Sequence, residues 1–195
     1  MSYLPTERKI FYYEMEGSRY LFADERIKMH LLERISELRQ RDGWLLFAFC
    51  IIDDRACFVI EAARIASVVR ALQSVVRKQL QQPEAAKASQ KTRVELSGRM
   101  RQLNTLPEIA DCCREVHQIP LRRGYVCRLE DYWWSSYPSY MGFHQWDVVD
   151  RRLLTMYFSV NPGIARKKLR QFHAVESGFH TTEPDAFDRV DPENA

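Results

Sequence analysis

The feature that most constrains this chain is a pair of apolar runs separated by three charged residues. Trp44-Leu-Leu-Phe-Ala-Phe-Cys-Ile-Ile52 leads into Asp53-Asp54-Arg55, which leads into Ala56-Cys-Phe-Val-Ile60. The first run is too short for an independent helix and far short of the roughly 18–20 residues that span a bilayer. It suits a buried strand. Asp53-Asp54-Arg55 is turn-forming, so residues 44–60 are expected to form a β-hairpin.

The flanking residues fit around that hairpin. Ile10-Phe-Tyr-Tyr-Glu-Met15 reads as a first strand, closed by a turn at Gly17-Ser18. Asp24 is an expected N-cap for a helix to about Gln40, with Ile27, Leu31, Ile35 and Leu38 on one face and a stop at Asp42-Gly43. Ile65, Val69, Leu72, Val76 and Leu80 mark a second amphipathic helix that ends near Gln81-Gln82-Pro83. Residues 84–92 read as a linker. Thr105-Leu-Pro-Glu108 opens a third helix expected to reach His117 and to break at Gln118-Ile-Pro120. Beyond Trp146, a strand or turn is expected to lead into helical material at 151–158 and 161–172. The order strand, helix, hairpin, helix predicts an α+β layer fold with helices packed on an antiparallel sheet.

Composition narrows the functional classes. The 195 residues are 46% hydrophobic and 28% charged, with no apolar block behind the N-terminal charges, so a soluble, cytoplasmic protein with no membrane partner is expected. Five cysteines, two of them adjacent at 112 and 113, do not suggest a disulfide scaffold. The net charge of +3 is uneven. Residues 174–195 carry Glu176, Glu183, Asp185, Asp188, Asp191 and Glu193 against Arg189 alone, which leaves a basic body with an acidic tail. Such a balance is compatible with a nucleic-acid surface shielded by that tail.

Several stretches resemble one family. Phe22-Ala-Asp-Glu-Arg26, Gly43-Trp-Leu-Leu-Phe-Ala-Phe-Cys50, Gly98-Arg99-Met100 and Arg114-Glu-Val-His-Gln-Ile-Pro-Leu-Arg-Arg-Gly124 are similar to segments of the single-tyrosine HUH transposases. Within that family they are closest to the insertion-sequence-200-like and REP-associated groups. The most specific match is Glu130-Asp-Tyr-Trp-Trp-Ser-Ser-Tyr137. The resemblance covers roughly residues 10–172. It implies a ferredoxin-like sheet, placed over 1–143, while the residues beyond it read as a helical extension over 144–174 and an acidic, disordered tail over 175–195. It also implies cleavage and rejoining of single-stranded DNA by a tyrosine of the second helix, aided by a metal between two strand histidines, and a dimeric state.

The chain departs from that chemistry at its decisive positions. The two histidine positions fall on Arg55 and Cys57. A guanidinium cannot ligate a metal, and one thiolate is a lone soft ligand. No tyrosine occurs between Glu61 and Gly124, and the second-helix segment Gln73–Gln82 offers only Ser74 as a hydroxyl. No catalytic residue, metal or cofactor is therefore expected.

What remains is binding capacity. Arg55 stands where a metal would meet phosphate, and either grips phosphate itself or pairs with Asp53, Asp54 or another carboxylate. Tyr132, Trp133, Trp134, Tyr137 and Tyr140 either stack on bases beside Arg122, Arg123 and Arg128 or pack the domain. Arg99 with Arg101, and Arg166-Lys167-Lys168-Leu-Arg170, are basic patches that either contact phosphates or are simply solvated. Arg55, Arg99, Arg122, Arg123 and Lys167 are the expected contacts to a DNA or RNA hairpin or single strand. A protein-interaction module on the same scaffold is the alternative.

Overall fold

A computed structural model describes residues 7–17, 20–80, 96–143, 146–175 and 188–189. Strand β1 (Lys9–Glu16) leads to helix α1 (Glu25–Asp42), the hairpin of β2 (Leu45–Ile52) and β3 (Arg55–Ala62), helix α2 (Ile65–Leu80) and strand β4 (Ser97–Leu103). The antiparallel sheet has the order β2-β3-β1-β4, extended beyond β4 by a two-residue strand β5 (Asp188–Arg189). This is the ferredoxin-like arrangement. The linker residues 84–92 lie outside the described residues, as does most of the tail. Asp188 and Arg189, which the sequence places in a disordered tail, instead pair with Met100 and Arg99 of β4.

Local chemistry explains the elements. The Asp24 side chain accepts from the Arg26 N–H at 2.9 Å and caps α1. Gly43 ends the helix with φ +70°, a left-handed conformation that favours glycine. Ile27, Leu31, Ile35 and Leu38 are all buried, as are Val69, Leu72 and Val76 of α2. Each buried aliphatic of this kind contributes about 2 kcal/mol of transfer free energy. Gly98 on β4 is required by close approach, because a Cβ there would stand 3.0 Å from the Tyr13 ring.

Alternation along β1 sorts the two faces. Tyr13 faces α2, whose Gln73 amide donates to its hydroxyl at 3.3 Å. Tyr12 and Glu14 therefore face the opposite side, where β4 presents Arg99 and Arg101 beside them. Arg101 pairs at 3.4 Å with Glu108 of helix α3 (Leu106–Arg122), which packs over β2 and β3 on that side.

Helix α3 corrects one expectation. It runs through Pro120 to Arg122 instead of breaking at 118–120. A proline there forfeits only one late backbone bond, and the end is retied by Arg123 N–H to the Ile119 carbonyl (3.0 Å) and Tyr125 N–H to the Pro120 carbonyl (2.9 Å). Beyond it come a 3-10 turn (Leu129–Asp131), α4 (Tyr137–Met141), α5 (Arg152–Phe158) and α6 (Pro162–Ala174). Helix α6 packs on α3, α4 and α5.

The outer edge of β2 is covered by the segment that follows α3. The carbonyl of Leu46 accepts from Asp150 N–H (2.7 Å), and that of Phe47 accepts from the Tyr140 hydroxyl (2.7 Å). Phe49 N–H donates to Ser136 Oγ (2.9 Å), and its carbonyl accepts from Ser136 N–H (3.0 Å). Ile51 N–H donates to the Trp134 carbonyl (2.9 Å), and its own carbonyl accepts from the Tyr132 hydroxyl (2.8 Å). An edge strand otherwise exposes these groups for pairing with another chain.

Candidate nucleic-acid interface

The tight turn at Asp53-Asp54 projects Arg55 back along β3, and the register sets it opposite Glu16 with Cys57 opposite Glu14. Arg55 Nη1 donates to Glu14 at 2.6 Å and lies 3.4 Å from Glu16, while Nη2 contacts Asp54 at 3.2 Å. Glu14 is only 2% exposed. Burial raises its pKa, against the opposing effects of the Tyr12 hydroxyl, which donates at 2.7 Å, and the Arg55 charge. Of the two readings left open for Arg55, the geometry is the carboxylate-bound one.

Cys57 is fully buried, with the Tyr12 hydroxyl 3.5 Å from its sulfur, and burial pushes its pKa well above the ordinary thiol value. Its thiolate is strongly disfavoured. Among the described residues, no group of three or more His, Cys, Asp and Glu side chains is placed to hold a metal. Tyr12, the phenol nearest these positions, has its pKa raised well above the usual value by burial, with the neighbouring Glu14 carboxylate adding to the effect. It is therefore a poor nucleophile.

The structure links three of the five expected contacts through shared carboxylates. Arg99 lies 3.7 Å from Glu16, which Arg55 also touches. Asp54 is acidified despite partial burial because it bonds Arg55 and feels the charges of Arg55 and Arg123. Arg123, exposed beyond the end of α3, lines an open cleft of about 320 Å³ with Tyr20, Asp53, Asp54 and Tyr125. Lys28 of α1 holds Asp53 at 3.3 Å. Arg122 is turned aside toward Gln118 (3.0 Å) and Glu115 (3.6 Å). Lys167 lies exposed on α6, apart from this group.

The aromatic cluster divides. Tyr132, Trp134, Tyr137 and Tyr140 are buried, and the hydroxyls of Tyr132 and Tyr140 are committed to the β2 edge. Trp133 is exposed, beside Met29 and Arg26. Two aromatics that sequence reasoning did not single out, Tyr20 and Tyr125, stand exposed beside Arg123. Tyr20 has φ +69°, an uncommon conformation for a residue with a side chain. No local pattern in the sequence marks either one.

Sequence reasoning also missed a buried chain of polar groups. His117 Nδ1 lies 2.9 Å from His173 Nε2, and His117 Nε2 lies 2.7 Å from Ser136 Oγ. His173 Nδ1 meets the Leu169 carbonyl at 2.9 Å. A carbonyl only accepts, so His173 carries its proton on Nδ1 and accepts from His117, which in turn accepts from the Ser136 hydroxyl. Desolvation lowers the pKa of His117 well below its ordinary value and that of His173 to about 4. The separation of these residues in sequence hid the arrangement.

No helix among the described residues is long and apolar enough to cross a membrane. No family model matches the chain, and no curated protein matches it. Among solved structures, the chain is similar to one described as a REP-associated tyrosine transposase bound to a REP hairpin. That likeness has 11% identity and a TM-score of 0.52, covering 77% of this chain and 94% of the other. With the β-α-β-β-α-β order and the sheet described above, the chain has a tyrosine-transposase-like α+β fold.

Proposed function

We propose that this protein binds structured or single-stranded nucleic acid, such as a DNA or RNA hairpin, on a transposase-like scaffold, and that it does not cut the strand. The observation that carries the reading is the Arg55 node. Where the resemblance puts two metal ligands, the chain has a guanidinium closed by Glu14, Glu16 and Asp54, and a buried thiol. The solved structure that shares the fold is described as bound to a REP hairpin, which supports nucleic acid as the ligand class.

Because the donors of Arg55 are taken by carboxylates, phosphate contacts fall to Arg123, to Arg99 and Arg122 in exchange for their present partners, and to Lys167. Tyr20 and Tyr125 supply stacking faces beside Arg123. In this reading residues 1–143 form the binding domain, 144–174 extend it, and the acidic segment 175–195 competes with the strand for the basic surface.

One observation favours a second reading, a protein contact or homodimer. Met156, Tyr157, Val160 and Ile164 are all exposed around the α5–α6 junction, forming an apolar surface on the extension.

A salt titration of binding to DNA and RNA hairpins separates these readings. The expected result is affinity at low salt well above that of an unrelated protein of equal charge, falling linearly with log salt. Equal affinity for the two proteins overturns nucleic-acid binding. A covalent tyrosyl–oligonucleotide adduct formed with manganese or magnesium overturns the non-cutting part.

A further inference from the structure

An open cleft lies away from the Arg55 node, between the end of α1, the 146–151 loop, α5 and α6. It encloses about 540 Å³, within the range of about 300–1,000 Å³ usual for small-ligand pockets. Four arginines line it, Arg39, Arg151, Arg152 and Arg166, together with Asp150. Arg152 engages Asp150 through Nε, 3.1 Å from each carboxylate oxygen, and Nη2, 2.5 Å from one, and its hydrogen bonding holds that carboxylate below its ordinary pKa. That pair neutralises itself.

Arg151 and Arg166 make no ion pair with a carboxylate among the described residues, and Arg39 reaches Asp150 only through its charge, which helps to lower that carboxyl's pKa. Arg39 donates from one nitrogen to the Asp147 carbonyl at 3.0 Å, while its buried Nε has no hydrogen-bond partner. Arg151 donates to the Ser139 carbonyl at 3.0 Å. The Arg166 guanidinium lies over Gly142, where a Cβ would come within 3.1 Å of it. Carbonyls orient Arg39 and Arg151 without cancelling their charge. The first N–H groups of α6 are already capped by Asn161, so the positive potential comes from the guanidinium groups. Beneath them the wall is apolar, built from Val149, Leu169 and Met156.

Convergent guanidinium groups recognise phosphate through charge-assisted, often bidentate, hydrogen bonds, and an adjoining apolar wall suits a sugar or base. We infer that this cleft is a nucleotide site. A phosphoryl group sits between Arg39, Arg151 and Arg166, with its nucleoside against Val149, Leu169 and Met156. The same chemistry is presented by one unit of a nucleic-acid strand and by a free nucleoside monophosphate. As a strand subsite it rests on the function proposed above and adds a second contact region far from Arg123. As a free-nucleotide site it stands apart from that function.

The test uses the full chain, Arg39→Gln/Arg166→Gln, and Arg70→Gln as a control that removes one exposed charge outside the cleft and outside the proposed contacts, with melting temperatures confirming that each is folded. Adenosine monophosphate, inorganic phosphate and a hairpin with a single-stranded extension are titrated into each. For a strand subsite, the double variant weakens hairpin binding at least about tenfold and lowers the salt slope by about 2, whereas Arg70→Gln leaves both unchanged. Hairpin binding that is strong and unchanged in the double variant, with no monophosphate binding, overturns the cleft and leaves the proposed function standing. Monophosphate binding that the double variant abolishes, without hairpin binding by the parent, supports the cleft as a free-nucleotide site and overturns the proposed function. Binding of neither probe overturns both, and equal affinity for inorganic phosphate and the monophosphate overturns the nucleoside part.

Discussion

His117 and His173 share a 2.9 Å hydrogen bond in the interior, joining α3 to α6 as two neutral imidazoles. The two rings are fully or almost fully enclosed, and Tyr137 packs against both. With desolvation lowering the His173 pKa to about 4, the unfolded chain takes up a proton near pH 6.5 that the folded chain refuses. Stability therefore declines as pH falls from about 6.5 towards 4, where the contribution of His173 levels off. Urea denaturation at pH 5 is expected to show at least about 2 kcal/mol less stability than at pH 7.5, most of it traceable to these two rings. Titration of His117 and His173 near pH 6.5 in the folded protein, followed by NMR, is the contrary result.

The Arg55–Glu14 pair makes an asymmetric prediction. Arg55→Ala leaves a buried carboxylate without its cation and is expected to cost about 3 kcal/mol. Combining Arg55→Met with Glu14→Gln recovers most of that loss, because neither residue then carries a charge. Chemical denaturation of the three proteins checks this. An Arg55→Ala protein as stable as the parent places the pair in solvent.

Tyr140→Phe and Tyr132→Phe each remove one hydroxyl donor from a β2 carbonyl. Each is expected to cost about 1 kcal/mol, and the double variant about the sum, since the two bonds share no partner. Thermal melts of the single and double variants test the point. Neutral substitutions mean that water replaces these hydroxyls at the edge.

Removing residues 175–195 deletes a strongly acidic segment and the β5 pairing beside Arg99. Hairpin affinity at low salt is expected to rise several-fold, with the difference vanishing at high salt as screening takes over. Fluorescence anisotropy of parent and truncated protein over a salt series reads this directly. An unchanged affinity removes the tail from the binding equilibrium.

Divalent ions are expected to leave the melting temperature where it is. Ligands that bind only the folded state raise apparent stability by mass action, and the Arg55 node has no set of ligands to capture one. A shift with millimolar manganese, reversed by a chelator, reveals a metal site.

Much of the framework was legible in the sequence because it rests on local rules. The Asp24 cap, the spacing of Ile27 to Leu38 and the two apolar runs flanking Asp53-Asp54 each point to one element, and each formed where expected. Strand β4 was not named as a strand, because Ser97–Leu103 carries two arginines and a glutamine in place of an apolar alternation. The end of α3 was misplaced because a proline this close to a helix terminus loses a single bond, which turn hydrogen bonds offset. At the site, the departures at Arg55 and Cys57 were legible as residue types, but the closing role of Glu14 depends on strand register. The pairing of His117 with His173, and the placing of Arg39 and Arg166 along one cleft, requires helices distant in the sequence to meet.

The tyrosine and serine hydroxyls fastened along β2 have a consequence for self-association. That flank of the sheet is sealed by the polypeptide itself, so a neighbouring copy cannot zip on there as an additional ribbon. Crowding the protein therefore does not seed lateral growth from this margin, and copies that meet along it do so through side chains alone.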